Sequence, residues 1–287
     1  VRQSSFHFKA FYTDFLRGLG EVGYKVYGLM IADRLPFWER AGYVDESRAR
    51  CFPDGFPCAV YLNGAFYGVF AWQLKKSRKN MNMRKNEVGH IHLDGNLNDA
   101  NLFGGSVKWN QFEVRNPQQL YVKNGSLYDG NYPKELLDDK CAAFSLPDDT
   151  EEIKEEKRRT HEVKQSIIRF SQYRKELEVL EQQGVSEKEM RQEIEQRYEI
   201  GSLIDYYLHY VLTYNCDGSL KNWQWFTYDG KRWLVTPYDL DQTFGINLYG
   251  VVRPANLPME RLTSGPFRWI DRYYQDDIGI NKRYDFF

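Results

Sequence analysis

The sequence is short of charge of either sign in excess: 39 Lys and Arg against 40 Asp and Glu leave a formal net charge of −1. A balance of that kind provides no global field to gather nucleic acid or an anionic membrane, so an electrostatic nucleic-acid binder is excluded. It also lacks any apolar run near the roughly 18 residues needed to span a bilayer, so no membrane span is expected. Cysteine is sparse, with four residues, Cys51, Cys58, Cys141 and Cys216. No two form a C-x-x-C pair and no histidine stands at metal-ligand spacing beside them, which argues against zinc. Cys51 and Cys58 flank Pro53-Asp54-Gly55-Phe56-Pro57, and a bridge in an oxidising compartment and two free thiols both fit that spacing. Internal repeats are absent. The sequence opens at Val1 within what reads as a strand, so an N-terminal stretch is expected to be missing, and any signal peptide with it.

What is abundant is aromatic: 21 Tyr, 18 Phe and 7 Trp in 287 residues. Bulky core packing is the plain reading of such rings, ahead of surface recognition. In Ser5-Phe6-His7-Phe8-Lys9-Ala10-Phe11, strict alternation predicts a strand with Phe6 and Phe8 on one face and His7 and Lys9 on the other. Residues 21–40 read as a helix ending near Pro36. Two uncharged apolar runs, 59–62 and 65–70, flank Asn63-Gly64, a dipeptide that provides the positive φ angles of a tight hairpin turn. A further strand is expected at 111–115.

Residues 148–200 differ in character. Val163, Ile167, Phe170 and Leu177 recur at helical spacing within a heavily charged stretch, and Ser186 with Glu189 forms a capping box for a second helix. We expect a helical hairpin inserted in the surrounding fold, its charge run a solvated face. A helix follows over 202–213, with Leu203, Tyr206, Tyr207, Tyr210 and Val211 facing inward. Two strands, 223–228 and 232–236, are joined by Asp229-Gly230. Early strands and a later, mainly helical body give an α+β fold class. The domain organisation expected is a strand-rich region over 1–130 and a helical region over 131–287, with the insertion at 148–200 inside the second.

Two polar constellations fall close together. In Asp217-Gly218-Ser219-Leu220-Lys221-Asn222, directly after a helix, an Asp is followed five residues later by an Asn. Protein kinases use this spacing in a loop whose Asp takes the substrate hydroxyl's proton and whose Asn binds metal. In Pro237-Tyr238-Asp239-Leu240-Asp241-Gln242-Thr243-Phe244-Gly245, two carboxylates two residues apart close a strand, an arrangement suited to a hard cation such as Mg²⁺ or Mn²⁺. A capped turn is the plain alternative. Asp239-Leu240-Asp241-Gln242-Thr243 also fits the D-x-D-x-T pattern of dehalogenase-type phosphatases. That chemistry follows the first strand of a doubly wound sheet, and the residues after Thr243 are too few to build one.

The run Ile204-Asp205-Tyr206-Tyr207-Leu208, through Asn215-Cys216-Asp217-Gly218, Lys221-Asn222-Trp223 and Gly230-Lys231-Arg232-Trp233, to Pro237-Tyr238-Asp239-Leu240-Asp241 and Phe244-Gly245, resembles the C-terminal signature of the CotH family. Val60-Tyr61-Leu62-Asn63-Gly64 with Tyr67-Gly68-Val69-Phe70 is similar to that family's hairpin, Ser5-Phe6-His7-Phe8-Lys9 to its lysine-bearing strand, and Phe112-Glu113-Val114-Arg115 to a further segment. The matched stretches cover about a third of the chain and span nearly its whole length. The resemblance implies a two-lobed, atypical protein-kinase-like fold that transfers the γ-phosphate of ATP to protein hydroxyls. The family was first associated with bacterial spore coats, which implies an extracytoplasmic, secreted or cell-surface location.

Carried over position by position, the resemblance makes Asp217 the catalytic acid/base. Asn222 and Asp239 become metal ligands, with Asp241 as second ligand or orienting group, for Mg²⁺ or Mn²⁺. Lys9 would contact the ATP phosphates, against the plain reading of an exposed strand lysine. The sequence departs from the family in two places. Where many members carry a Glu after the hairpin it reads Trp72-Gln73-Leu74-Lys75-Lys76, so a Lys–Glu pair would need another carboxylate, such as Glu113. No glycine-rich loop precedes Lys9. The rival reading is a catalytically weak, kinase-like scaffold serving as a surface interaction module. All four polar residues of the late block are retained, which favours an enzyme with a protein acceptor. His90 and His92, separated by Ile91, suit either metal ligation or ordinary buried hydrogen bonding.

Overall fold

The computed structural model describes residues 6–10, 14, 18–32, 49–85, 87–95, 112–117, 147–215, 218, 222–246 and 266–274. The elements are β1 (Phe6–Lys9), α1 (Leu19–Ala32), β2 (Gly55–Leu62), β3 (Ala65–Leu74), β4 (Ile91–Gly95), β5 (Phe112–Asn116), α2 (Glu151–Gln182), α3 (Glu187–Arg197), α4 (Ile200–Thr213), β6 (Trp223–Thr227), β7 (Leu234–Pro237), a 3₁₀ turn (Leu240–Gln242) and α5 (Phe267–Tyr273). The class is α+β, as the alternation of patterns predicts. Among the described residues no helix is long and apolar enough to cross a membrane.

The chain divides into two units. The first comprises Val1–Met83, Gly201–Trp223 and Val235–Phe287. Its sheet has the order β1-β3-β2, all antiparallel. The β2–β3 hairpin turns at Asn63 and Gly64, with φ of 49° and 82°, the left-handed pair that Asn-Gly favours. Register puts Lys9 opposite Ala71 and Phe8 opposite Trp72. The alternation in β1 is as the sequence predicts, but the usual sense of burial is reversed. Phe8 is 60% exposed and Phe6 stacks on Trp72 with centroids 4.2 Å apart, while Lys9 occupies the inward face with buried Ala71 and Gln73.

Helix α1 packs its Tyr24 and Tyr27 with Phe52 and Leu240 in a small buried cluster. Gly23 faces Leu240, and a Cβ there would meet Leu240 Cδ1 at 2.9 Å. The closeness of α1 to the 3₁₀ turn therefore depends on the missing side chain. His209 of α4 donates from Nε2 to the Gly23 carbonyl (2.8 Å) and packs edge-on against Tyr27. In α4, Leu203, Tyr206, Tyr207 and Tyr210 are buried as expected. Val211 is only half-buried, and the polar Asp205 and His209 take inward places instead.

The second unit comprises Arg84–Ile200 and Gln224–Leu234. Here β4 lies between β5 and β6, antiparallel to both. The expected helical pair is present as α2 and α3. Thr150 caps the first, and Ser186 with Glu189 forms the capping box of the second. The apolar stripe of α2 is the core of this unit. Phe170 stacks on Trp233 with centroids 4.1 Å apart and touches Trp225 and Tyr198, all fully buried or nearly so. The outer face of α2 carries short-range ion pairs such as Arg158 with Glu155, the solvated face that the charge run predicts. Not all of that run is solvated: Lys157 and Lys164 are buried, and Lys157 pairs with Asp149 at 2.7 Å. His92 bonds Gln224 through Nε2 (2.8 Å) and His90 accepts the Arg84 amide (3.0 Å), so each has a structural hydrogen bond. Among the described residues Cys51 and Cys58 are separate thiols.

Candidate active site

The polar centre of the first unit is built on Asp239, at the exit of β7. Its backbone is left-handed (φ 53°, ψ 62°), a conformation that costs a non-glycine residue on the order of 1 kcal/mol and that Asp and Asn tolerate best. Two neighbours fix it and the residue before it through three hydrogen bonds. The Asp239 amide donates to the Tyr24 hydroxyl (2.9 Å), its carbonyl accepts from Asn222 Nδ2 (3.2 Å), and the preceding Tyr238 amide donates to the Asn222 carbonyl (2.9 Å). Asn222 is left-handed as well (φ 61°) and buried. The two left-handed residues are joined by the Asn222 side chain, and strained backbone of this kind concentrates at functional sites.

The Asp239 carboxylate meets Lys9. Lys9 Nζ lies 2.6 Å from Asp239 Oδ1, joining residues 230 apart in sequence. The ammonium also sits over the Tyr238 ring, 4.6 Å from its centroid, and Lys76 approaches the same ring at 3.9 Å. Burial works to lower the Lys9 pKa, but Tyr238 and Asp239 together outweigh it and the net shift is upward. Lys9 is therefore charged at any physiological pH. Asp241, two residues on, is half-buried within the 3₁₀ turn.

A carboxylate that the sequence does not flag belongs to the same neighbourhood. Glu21, in the first turn of α1, is 3% exposed, and its Oε1 accepts from Gln73 Nε2 at 2.6 Å. Its Oε2 is buried with no hydrogen-bond partner, as is Asp14 Oδ1, while Asp14 Oδ2 accepts the Leu19 amide (2.7 Å) near the start of α1. Burial pushes the Glu21 pKa up and Asp14 adds to that, while the Gln73 bond and the nearby Lys9 charge pull it down. Gln73 stands where the family resemblance leads one to expect a Glu, and it points to the acid instead of replacing it. No local pattern marks Glu21, because only the packing of α1 behind β3 brings it there. Glu113 belongs to the second unit, and its side chain is outside the described residues.

Asp217 also lies outside the described residues. Its neighbours are tightly set: the Tyr206 hydroxyl donates to the Gly218 carbonyl, and a Cβ on Gly218 would meet Asn215 Nδ2 at 2.6 Å. The sequence-predicted Lys9, Asn222 and Asp239 are thus brought together in one place. Among the described residues no group of three or more His, Cys, Asp or Glu forms a metal cage. The fit to a metal rests instead on donor chemistry. A carboxylate with one oxygen held by a displaceable ammonium, next to an Asn side chain and a second Asp, is an all-oxygen set of the kind Mg²⁺ and Mn²⁺ prefer.

Comparison with known proteins agrees with this picture at the level of the family. The family model described as CotH kinase protein matches residues 52–275, most of the chain. The matched stretch holds positions 217, 222, 239 and 241 and begins after Lys9, Asp14 and Glu21. No curated protein matches. With the polar set of the late block inside the match and its central pair held in strained geometry, the chain belongs to the CotH kinase family.

Proposed function

We propose that this protein is an ATP-dependent phosphotransferase that moves the γ-phosphate of ATP to hydroxyl groups of a protein acceptor. The observation that carries the reading is the meeting of Lys9 with Asp239, whose backbone is pinned by Asn222 and Tyr24. A kinase-type site needs a cation for the phosphates and an acid for the metal at one point, on different elements. Here those two groups find each other across 230 residues and neutralise one another.

In this reading Asn222 and Asp239 hold Mg²⁺ or Mn²⁺, with Asp241 as a second ligand or orienting group. When bound, the metal neutralises charge on the β- and γ-phosphates. Lys9 exchanges Asp239 for the phosphates of ATP, and Glu21, close enough to feel its charge, steadies the ammonium in its new position. Gln73 holds Glu21 in place through the 2.6 Å bond. Asp217 accepts the proton of the acceptor hydroxyl as it attacks. The fold that accompanies this chemistry in this reading is a two-lobed, kinase-like one. The spore-coat association of the family supports an extracytoplasmic setting.

A catalytically weak scaffold is the competing reading. Two left-handed non-glycine residues bonded to each other favour the enzyme, since an interaction module gains nothing from that strain. The test is transfer of labelled γ-phosphate to a generic acceptor or to the protein itself, with nucleotide binding followed calorimetrically in Mg²⁺ and in Mn²⁺. Asp217→Asn is expected to retain ATP and metal binding and lose transfer by about 10²–10⁴-fold, the usual contribution of a general base. A parent protein that binds no nucleotide with either metal would establish the scaffold instead.

A further inference from the structure

Two ammonium groups meet at Tyr238, and the catalytic residue set described so far uses one. Lys9 reaches the ring from β1, with Nζ 4.6 Å from the centroid, and Lys76 reaches it from just beyond β3 at 3.9 Å. Tyr238 is largely buried and is the residue before Asp239, so its ring position is fixed by the same bonds that fix the acid. Each cation is drawn by the negative face of the ring. Like charges gathered at one ring nevertheless repel each other, and Asp239 engages the Lys9 ammonium through Oδ1. Their convergence beside a strained acid is best matched by a ligand that carries several negative charges in a row.

We propose that Lys76 is a second phosphate-contacting side chain of this site, with Tyr238 the platform on which both ammoniums rest until a polyphosphate draws them off. The ligand class is the triphosphate chain of a nucleotide, and the inference rests on the nucleotide reading given above. Lys9 takes the phosphates from the β1 side and Lys76 from the β3 side. Lys76 contributes to binding and leaves the chemical step to the other residues. Its signature is therefore in KM and not in kcat, since it grips ground state and transition state alike.

The test uses the full chain with Lys76→Met and Lys76→Arg, titrated with Mg-ATP, inorganic tripolyphosphate with Mg²⁺, and adenosine. Lys76→Met is expected to weaken Mg-ATP and tripolyphosphate alike by roughly 10-fold or more, as for loss of a charge-assisted hydrogen bond. Adenosine should bind as to the parent, Lys76→Arg should recover most of the loss, and kcat should stay within about threefold while KM for ATP rises. An unchanged melting temperature for both variants shows that ring support has not been lost. If the parent binds Mg-ATP and Lys76→Met binds it equally well, the inference is wrong while the functional reading stands. Equal weakening toward adenosine would move Lys76 to the nucleoside and also overturn it. A parent that binds neither Mg-ATP nor tripolyphosphate removes both.

Discussion

The neighbourhood of Asp239 in the first unit and the aromatic core of the second are built from opposite materials. Around Phe170 the second unit gathers Trp233, Trp225 and Tyr198, large aromatic faces in close contact that bury two indole N–H groups and a phenol hydroxyl along with them. Around Asp239 the first unit collects Lys9, Asp14, Glu21, Gln73 and Asn222, including buried carboxylate oxygens with no hydrogen-bond partner and two residues in left-handed conformations. Ring stacking and burial stabilise at little electrostatic cost, whereas buried acids and strained backbone cost stability that the surrounding packing must offset. The difference separates a region selected for holding together from one selected for binding charge.

The comparison breaks most visibly at the acid. Asp239→Asn should abolish most metal-dependent nucleotide binding, on the order of 100-fold or more for loss of a charged ligand, with a melting temperature close to the parent's. Calorimetric titration with Mg-ATP beside a thermal melt checks both halves. A large fall in melting temperature would mean that the Lys9 ion pair is structural.

The opposite behaviour is expected at the aromatic core. Phe170→Ala removes a fully buried ring from a stack and should destabilise by about 3–5 kcal/mol, read by urea unfolding. Whatever fraction stays folded should bind nucleotide with nearly the parent's affinity. The prediction fails if unfolding is unaffected.

An intermediate effect separates the regions by pH. Burial pushes the His209 pKa down to about 4, and the neutral ring donates to the Gly23 carbonyl behind the site. The folded pKa lies below the unfolded value of about 6.5, so the unfolded chain takes up the proton first as pH falls. Stability from this group is present above about pH 6.5 and is lost as pH falls toward 4, by on the order of 3 kcal/mol. Burial lowers the His90 pKa as well, but with a smaller shift. An NMR titration of the His209 ring should find it neutral down to about pH 5, and titration near 6.5 would contradict its burial. At the weak end, Arg158→Ala on the exposed face of α2 should leave the urea-unfolding midpoint unchanged within error despite two ion partners, Glu155 and Glu162.

The elements most legible in the sequence are those whose causes are local. Asn63-Gly64 specifies its hairpin, Ser186 with Glu189 its helix start, and the 3.6-residue stripe of α2 its buried face. Asn222 and Asp239 are recognisable through spacing and family resemblance, because loop and strand-end motifs keep their order along the chain. Local reasoning loses its force where burial is decided by distant packing. The alternation Phe6-His7-Phe8-Lys9 gives the two faces of β1 but not which one lies inward, and the charged face is the inner one. Glu21 carries no local mark either. It is an ordinary first-turn acid until α1 is laid behind β3, where Gln73 donates to it.

The order in which the parts of the first unit appear along the chain has a consequence for synthesis. Lys9 emerges from a ribosome long before Asp239, and at roughly 5–20 residues per second the wait is roughly 10–50 s. Throughout that interval β1, β2 and β3 can pair by contacts available within the first 83 residues, while the acid that holds Lys9 does not yet exist. The uncharged hairpin, with Tyr61, Phe66 and Tyr67 more than half exposed even in the finished protein, is then an apolar nascent surface. A chaperone that shields this hairpin during translation should raise the yield of correctly assembled protein more than one that acts on the completed chain.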